Sequence, residues 1–286
     1  MPELSIIIPT WKRNNIFSAT ISAVISAVSN IDAEVIVIND NIEDKILVDH
    51  PKVKVYNNTG RGVTRARNLG ASLATAPLLL FIDNDILISS ENLIKTLKVH
   101  KTKSRVIVNA NWVYPPAIIS IIDKYQFGRI RKFWKLDSFE SRYIFHNKGL
   151  WEHKLFKATL PFAGFYFSIS KDIFLNFLKF NENIVFGKEE EELSKKISDN
   201  DITYWVDPEN IVYHNEIDRI ADYREWLKNV QMRDCETIKK SRPFRLRSLA
   251  LLAKINYFIL DHFPNKTYLD KTYAKFLYMQ TRLLKK

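Results

Sequence analysis

The first 110 residues alternate short β-branched runs with stretches of helical period, and few folds accept that pattern. The runs are LSIII (4–8), EVIVI (34–38), VKVY (53–56), PLLLFI (77–82) and RVIVNA (105–110). Runs such as EVIVI and LLLFI, without polar alternation, suit strands covered on both faces, as in parallel sheets. Between the first two runs, Phe17, Ile21, Val24, Ile25 and Val28 recur at helical spacing and mark one apolar helix face. Further helices are predicted over 63–76 and 90–100. Strand and helix in alternation predict βαβ units, hence an α/β chain built on a parallel sheet. In such sheets, ligands gather beyond the carboxyl ends of the strands.

Two of those ends carry acid. EVIVI runs into Asn39-Asp40-Asn41, and LLLFI runs into Asp83-Asn84-Asp85. The two carboxylates of Asp83 and Asp85 are spaced so that both can converge on one hard cation, and Mg²⁺ or Mn²⁺ held this way usually also holds substrate phosphates. The plainer alternative is a surface turn, where Asp and Asn are favoured. The stretch GRGVTRARNLG (60–70) sets arginines around a helix start, a place suited to phosphate, or else simply a cap with solvated side chains. It is not a GxGxxG fingerprint, so a Rossmann dinucleotide site is not supported. IIIPTWKR (6–13) ends a strand at a first βα loop, and His214 closes a strand-like run, IVYH.

The order of SIIIPTWKR, EVIVIND, GVTRARNLG, LLLFIDND, PFAGFYFSIS, FGKEEEEL and VYH resembles family 2 glycosyltransferases over about residues 3–216. The resemblance implies a GT-A (Rossmann-like) fold with a mixed, mostly parallel central sheet flanked by helices. It implies an inverting transfer from a nucleoside-diphosphate sugar, with UDP expected, to a hydroxyl acceptor in cell-surface polysaccharide or glycoconjugate synthesis. By the same resemblance Asp40 meets the base, although the usual Asp-Asp pair is here Asn39-Asp40. Arg67 lies near the base and phosphates, and Pro9, Thr10 and Arg13 line the nucleoside pocket. Asp83-Asn84-Asp85 matches the DxD motif, with Asp85 a direct ligand of Mn²⁺ or Mg²⁺. Asp83 stands nearer the ribose or a metal-bound water. His214 falls where many members supply a further ligand, and a nitrogen ligand tilts the preference toward Mn²⁺.

The glutamates of FGKEEEELSKK (186–196) read two ways. Acidic residues favour the first turn of any helix. In the family a G-x-E-D-x-E-like segment carries the general base, and alignment puts Glu190 at its Asp, with Glu189 as the alternative. Neighbours in a helix do not face the same way, so Glu190 and Glu191 cannot both point into one site.

The charge is uneven. Residues 239–286 hold 12 Lys and Arg against 2 Asp, or +10 of the net +11. Domain limits follow: a glycosyltransferase domain over 1–238, with a nucleotide-binding part to about 110 and an acceptor-side part beyond, then a helical basic tail over 239–286. The tail's apolar residues suit an anionic membrane surface, a second subunit or the catalytic domain itself. No spanning segment or leader is expected, and the lone Cys235 fits a reducing setting. The expected location is cytoplasmic, with peripheral contact to the membrane through the tail, and the expected acceptor a glycan or lipid-linked hydroxyl. The tail alone could instead suggest nucleic-acid binding, but no RRM, KH or zinc signature accompanies it, so no nucleic acid is expected. A non-catalytic sugar-nucleotide-binding protein is the third reading.

Overall fold

The computed structural model describes residues 1–11, 14–113, 151–152, 164–184 and 189–215. The 238/239 boundary, the basic tail and Arg13 lie outside these residues.

Strands β1 (Leu4–Thr10), β2 (Ala33–Asn39), β3 (Val53–Asn57) and β4 (Leu78–Ile82) form a parallel block in the order β3-β2-β1-β4. The chain continues through β5 (Ile86–Leu87), β6 (Val106–Val113), β7 (Trp151–Glu152), β8 (Tyr166–Ser170) and β9 (Thr203–His214). The sheet runs on from β4 as β8-β6-β9-β5, with β7 also paired to β9. β8 is antiparallel to both β4 and β6, while β6 and β9 pair in parallel. The sheet is therefore mixed, and its longest ladders are parallel.

Alternation along each central strand feeds two separate cores, because successive side chains point to opposite faces. Leu4, Ile6 and Ile8 of β1, Val35 and Val37 of β2, and Leu78 and Leu80 of β4 join Phe17, Ile21 and Val24 of helix α1 (Asn15–Ala27) and Leu93 of α3 (Ser90–Thr102). Ile7, Ile36, Ile38, Leu79 and Phe81 face the other way. They pack on Ala66 and Ala71 of α2 (Val63–Leu73), on Phe174 and Leu178, and on Leu193 and Ile197 of α5 (Glu189–Asp199). Phe174 and Leu178 belong to a wide π-type turn, Phe174–Leu178, that extends the short helix α4 (Lys171–Ile173). Phe81 stacks on Phe167 at 4.5 Å and leans on Phe174 at 4.8 Å, an aromatic seam joining β4, β8 and this turn.

Each helix stops and starts for local reasons. Asn14 accepts the Phe17 N–H at 2.9 Å and caps α1. Helix α2 ends at Leu73, three residues short of the predicted 76, because Ala74 turns extended and Glu34 accepts the Thr75 N–H at 2.6 Å. Glu34 also takes the hydroxyls of Ser5 (2.7 Å) and Thr75 (2.6 Å), tying the end of α2 to β1 and β2. Gly70 faces Ile7 across that junction so closely that a Cβ would overlap the isoleucine side chain. No helix among the described residues is long and apolar enough to cross a membrane.

Candidate active site

The acidic strand ends lie at the carboxyl edge of the parallel block, with the end of β1 between them. Asp40 follows β2, and both its oxygens accept the Gly62 N–H (3.0 and 2.9 Å), with Asn58 Nδ2 at 2.5 Å. Gly62 has φ 110°, a conformation that favours glycine, and it starts α2. Asp40 thus fixes the entry of α2. Asn39 is buried and structural, its amide bonding Asp44 O and Asn57 Oδ1 while its oxygen accepts Asn41 N.

Pro9 and Thr10 are buried at the end of β1. Thr10 Oγ1 accepts Asn84 Nδ2 at 3.0 Å, and Asn84 O accepts Thr20 Oγ1 from α1 at 3.0 Å. Asn84 is therefore a brace that holds the acidic turn, with Asp83 and Asp85 to either side.

Asp83 meets Arg67, whose Nη2 donates to Asp83 Oδ1 at 2.8 Å and to Gly164 O at 3.2 Å. The guanidinium also lies 5.3 Å from the centre of the Phe180 ring. Arg67 is 3% exposed, so its charge faces Asp83 and the Gly164 carbonyl and not solvent. Burial pushes the Asp83 carboxyl up and the Arg67 charge pulls it down, but the neighbouring Asp85 charge adds to the rise, leaving it above its ordinary range. Arg65 turns away to Glu182 at 3.2 Å, so the two arginines of one helix serve different ends.

Asp85 and His214 are 129 positions apart and adjacent in space. The two-residue strand β5 pairs antiparallel with the end of β9, with Ile86 opposite His214. That pairing sets Asp85 Oδ1 3.2 Å from His214 Nε2, and the Asn215 N–H donates to Asp85 O at 2.7 Å. β9 reaches this point after a shift of register against β6, where Ala110 pairs with Asp207 but Asn111 pairs with Ile211. Asp207 accepts the N–H groups of Glu209 and Asn210 and shapes that bulge. Trp112 meets the His214 ring edge-on at 5.2 Å and the Phe165 ring at 6.4 Å.

This donor set suits a hard divalent cation. The 3.2 Å between carboxylate oxygen and imidazole nitrogen is close to the ~3.0 Å edge of an octahedron with ~2.1 Å bonds. Among the described residues no third His, Cys, Asp or Glu completes a ligand group with them. Remaining positions would fall to water and substrate oxygens, the usual habit of Mg²⁺ and Mn²⁺.

Glu190 sits in the first turn of α5, and its Oε1 accepts the Gly164 N–H at 2.7 Å. Glu189 carries a buried oxygen with no hydrogen-bond partner among the described residues, and Glu192 pairs with Lys196 at 2.8 Å. Glu190 is thus linked through Gly164 to Arg67, and through Arg67 to Asp83.

The sequence profile described as glycosyl transferase family 2 matches residues 5–174, more than half of the chain. The chain belongs to glycosyl transferase family 2. Among curated proteins, a glycosyltransferase of Haemophilus influenzae is 28% identical over 42% of this chain and 41% of its own length. A validoxylamine A glucosyltransferase of Streptomyces hygroscopicus subsp. jinggangensis is 29% identical over 41% of this chain and 30% of its own. The matched segment thus spans well under two thirds of either relative. Among solved structures, GalNAc-T7 with UDP, GalNAc and Mn²⁺ overlays with a TM-score of 0.54 at 15% identity, over 74% of this chain and 43% of that one. That likeness shows the GT-A fold.

Family membership and fold leave out several residues that shape this family 2 site. Phe180, Asn58 and Trp112 carry no motif, and Gly164 stood inside PFAGFYFSIS without a role of its own. Gly62 had a signal, since a glycine before a helix suits positive φ. Asn84 stood inside the acidic motif, but its bond to Thr10 depends on β1 lying beside β4.

Proposed function

We propose that this family 2 chain is an inverting glycosyltransferase that moves a sugar from a nucleoside-diphosphate donor, UDP in our reading, to a hydroxyl acceptor. The observation that carries the proposal is the convergence of Asp85 with His214, beside an Asp83–Arg67 pair that reaches Glu190 through Gly164. In this reading Asp40, Pro9, Thr10 and Arg13 belong to the nucleoside side, with Asn84 and Arg67 bracing the acidic turn. Asp85 and His214 would hold Mn²⁺ or Mg²⁺, and Asp83 would act nearby, through water or the ribose. A cation there supplies electrostatic stabilisation of the leaving diphosphate.

Glu190 takes the proton of the acceptor hydroxyl. The acceptor oxygen forms its bond to the anomeric carbon as the bond from that carbon to the phosphate oxygen breaks, and the electron pair leaves with the nucleoside diphosphate. One displacement inverts the anomeric centre. The GalNAc-T7 structure, which contains UDP and Mn²⁺, supports the choice of nucleotide and metal. A glycan or lipid-linked acceptor, with the basic tail on an anionic membrane face, fits a role in surface polysaccharide or glycoconjugate synthesis.

The test is a thermal-shift panel of nucleotide sugars with and without Mn²⁺, followed by product analysis of any stabilising donor. A Mn²⁺-dependent shift with one donor, and transfer of its sugar with inversion, is expected. No shift with any donor would overturn the reading, and binding without turnover would make the chain a sugar-nucleotide sensor.

A further inference from the structure

Gly164 precedes β8 at the point where β8 meets the end of β4. Ile82 pairs with Tyr166, and the Asp83 N–H donates to Phe165 O at 3.0 Å, so the ladder continues to the acidic turn itself. One residue earlier, Gly164 uses both of its backbone polar groups on charged side chains. Its N–H donates to Glu190 Oε1 at 2.7 Å, and its carbonyl accepts Arg67 Nη2 at 3.2 Å. The same Nη2 donates to Asp83 Oδ1 at 2.8 Å. Gly164 is thereby wedged between the arginine and the glutamate. A Cβ on it would lie 3.3 Å from Arg67 Nη2 and 3.3 Å from Glu190 Oε1.

We propose that Gly164 is a positioning residue for the transfer reaction: its backbone sets the Glu190 carboxylate at a fixed distance from the Arg67–Asp83 pair, registering the acceptor-side base against the donor-side acids. The proposal rests on the glycosyl transfer reading above. Its physical content is steric and directional. Glu190 is on a helix that follows β8 in sequence, and Arg67 is on a helix before β4, so neither element dictates the position of the other. A backbone N–H is a donor that cannot rotate away, unlike a side chain, and it holds one carboxylate oxygen while leaving the other for a proton. A methyl added at Gly164 must push one or both charged side chains by a few tenths of an ångström.

Gly164→Ala is therefore a mild probe with a sharp expectation. Misplacement of reacting groups by under an ångström lowers turnover on the order of 10- to 100-fold, so kcat should fall by that factor while donor KM and the Kd for UDP with Mn²⁺ stay within about threefold. Glu190→Asp, which withdraws the carboxylate from the Gly164 N–H, should show the same split, and the double variant should be no slower than the slower single one. A wild-type kcat in Gly164→Ala, additive losses in the double variant, or an equal loss of donor affinity would overturn the proposal. Should Gly164→Ala fail to fold, the Gly164 amide resonance of the wild-type chain decides. It is expected downfield and to move upfield in Glu190→Ala, and an unmoved resonance overturns the proposal. Wild-type transfer is measured alongside, so that absence of any turnover counts against the functional reading and normal turnover in the variant counts against Gly164 alone.

Discussion

Glu190 has one carboxylate oxygen committed to a backbone N–H and stands one helical position from Glu189, whose Oε2 is buried without a partner among the described residues. A base needs a fixed direction, and the Gly164 N–H gives the Glu190 carboxylate one. Glu190→Gln keeps the size and the hydrogen bond to Gly164 but removes the basic oxygen. Its kcat is expected to fall ~10²–10⁴-fold with the donor Kd unchanged by calorimetry, and full activity would pass the role to Glu189. Asp85→Ala removes one half of the Asp85–His214 pair. Mn²⁺-dependent UDP binding should be lost in the same titration, and retention of wild-type affinity would sink the metal assignment. Asp83, Asp85 and His214 were singled out in the sequence by the family resemblance, and the fold brings Asp85 and His214 together. The surroundings of Arg67 were not legible, because its burial against Phe180 and its pairing with Asp83 are contacts between distant segments that no local pattern marks.

At the scale of elements, β1, α1, β2, β3, α2, β4 and α3 follow the hydrophobic periodicity of the chain within a few residues at each end. The reason is that the central strands β1, β2 and β4 must satisfy two cores, which forces near-continuous apolar runs. The pairing of β5 with β9 was invisible for the opposite reason. Two residues carry no period, and a contact between positions 86 and 214 leaves no local trace. Burial pushes His100 of α3 down to about 4, against its bond to Ser168 of β8 (2.8 Å), which raises it. The folded value lies below the unfolded value near 6.5, so the unfolded chain binds this proton first as the pH falls. Stability contributed by neutral His100 is complete above pH 6.5 and declines toward pH 4. The window corresponds to at most about 3 kcal/mol, less for a side chain that is only half-buried. Urea melts at pH 7.5 and 4.5 should show this drop in the wild type and a smaller one in His100→Gln. An equal drop in both would assign the acid sensitivity elsewhere.

For the whole molecule, the family and the fold were legible because they rest on the order of many modest motifs, whereas donor, acceptor and pathway rest on pocket shape that no motif encodes. The charge distribution adds one further constraint. Residues 1–238 are nearly neutral, with 31 basic and 30 acidic side chains, and the last 48 residues hold the excess. A segment of that charge with Phe244, Leu246, Leu249, Tyr257 and Phe258 among the cations can gain ~1 kcal/mol for each Lys or Arg near an anionic surface, in addition to apolar insertion. The two contributions respond differently to salt, because screening shortens from ~10 Å at 0.1 M to ~3 Å at 1 M while apolar burial is not weakened. The full chain should therefore sediment with phosphatidylglycerol vesicles at 0.1 M salt, bind phosphatidylcholine vesicles far less, and lose most but not all binding at 1 M. Equal binding to both vesicle types would make the contact apolar alone. Absence of binding to either, with a salt-sensitive dimer by light scattering, would place the tail at a subunit interface instead.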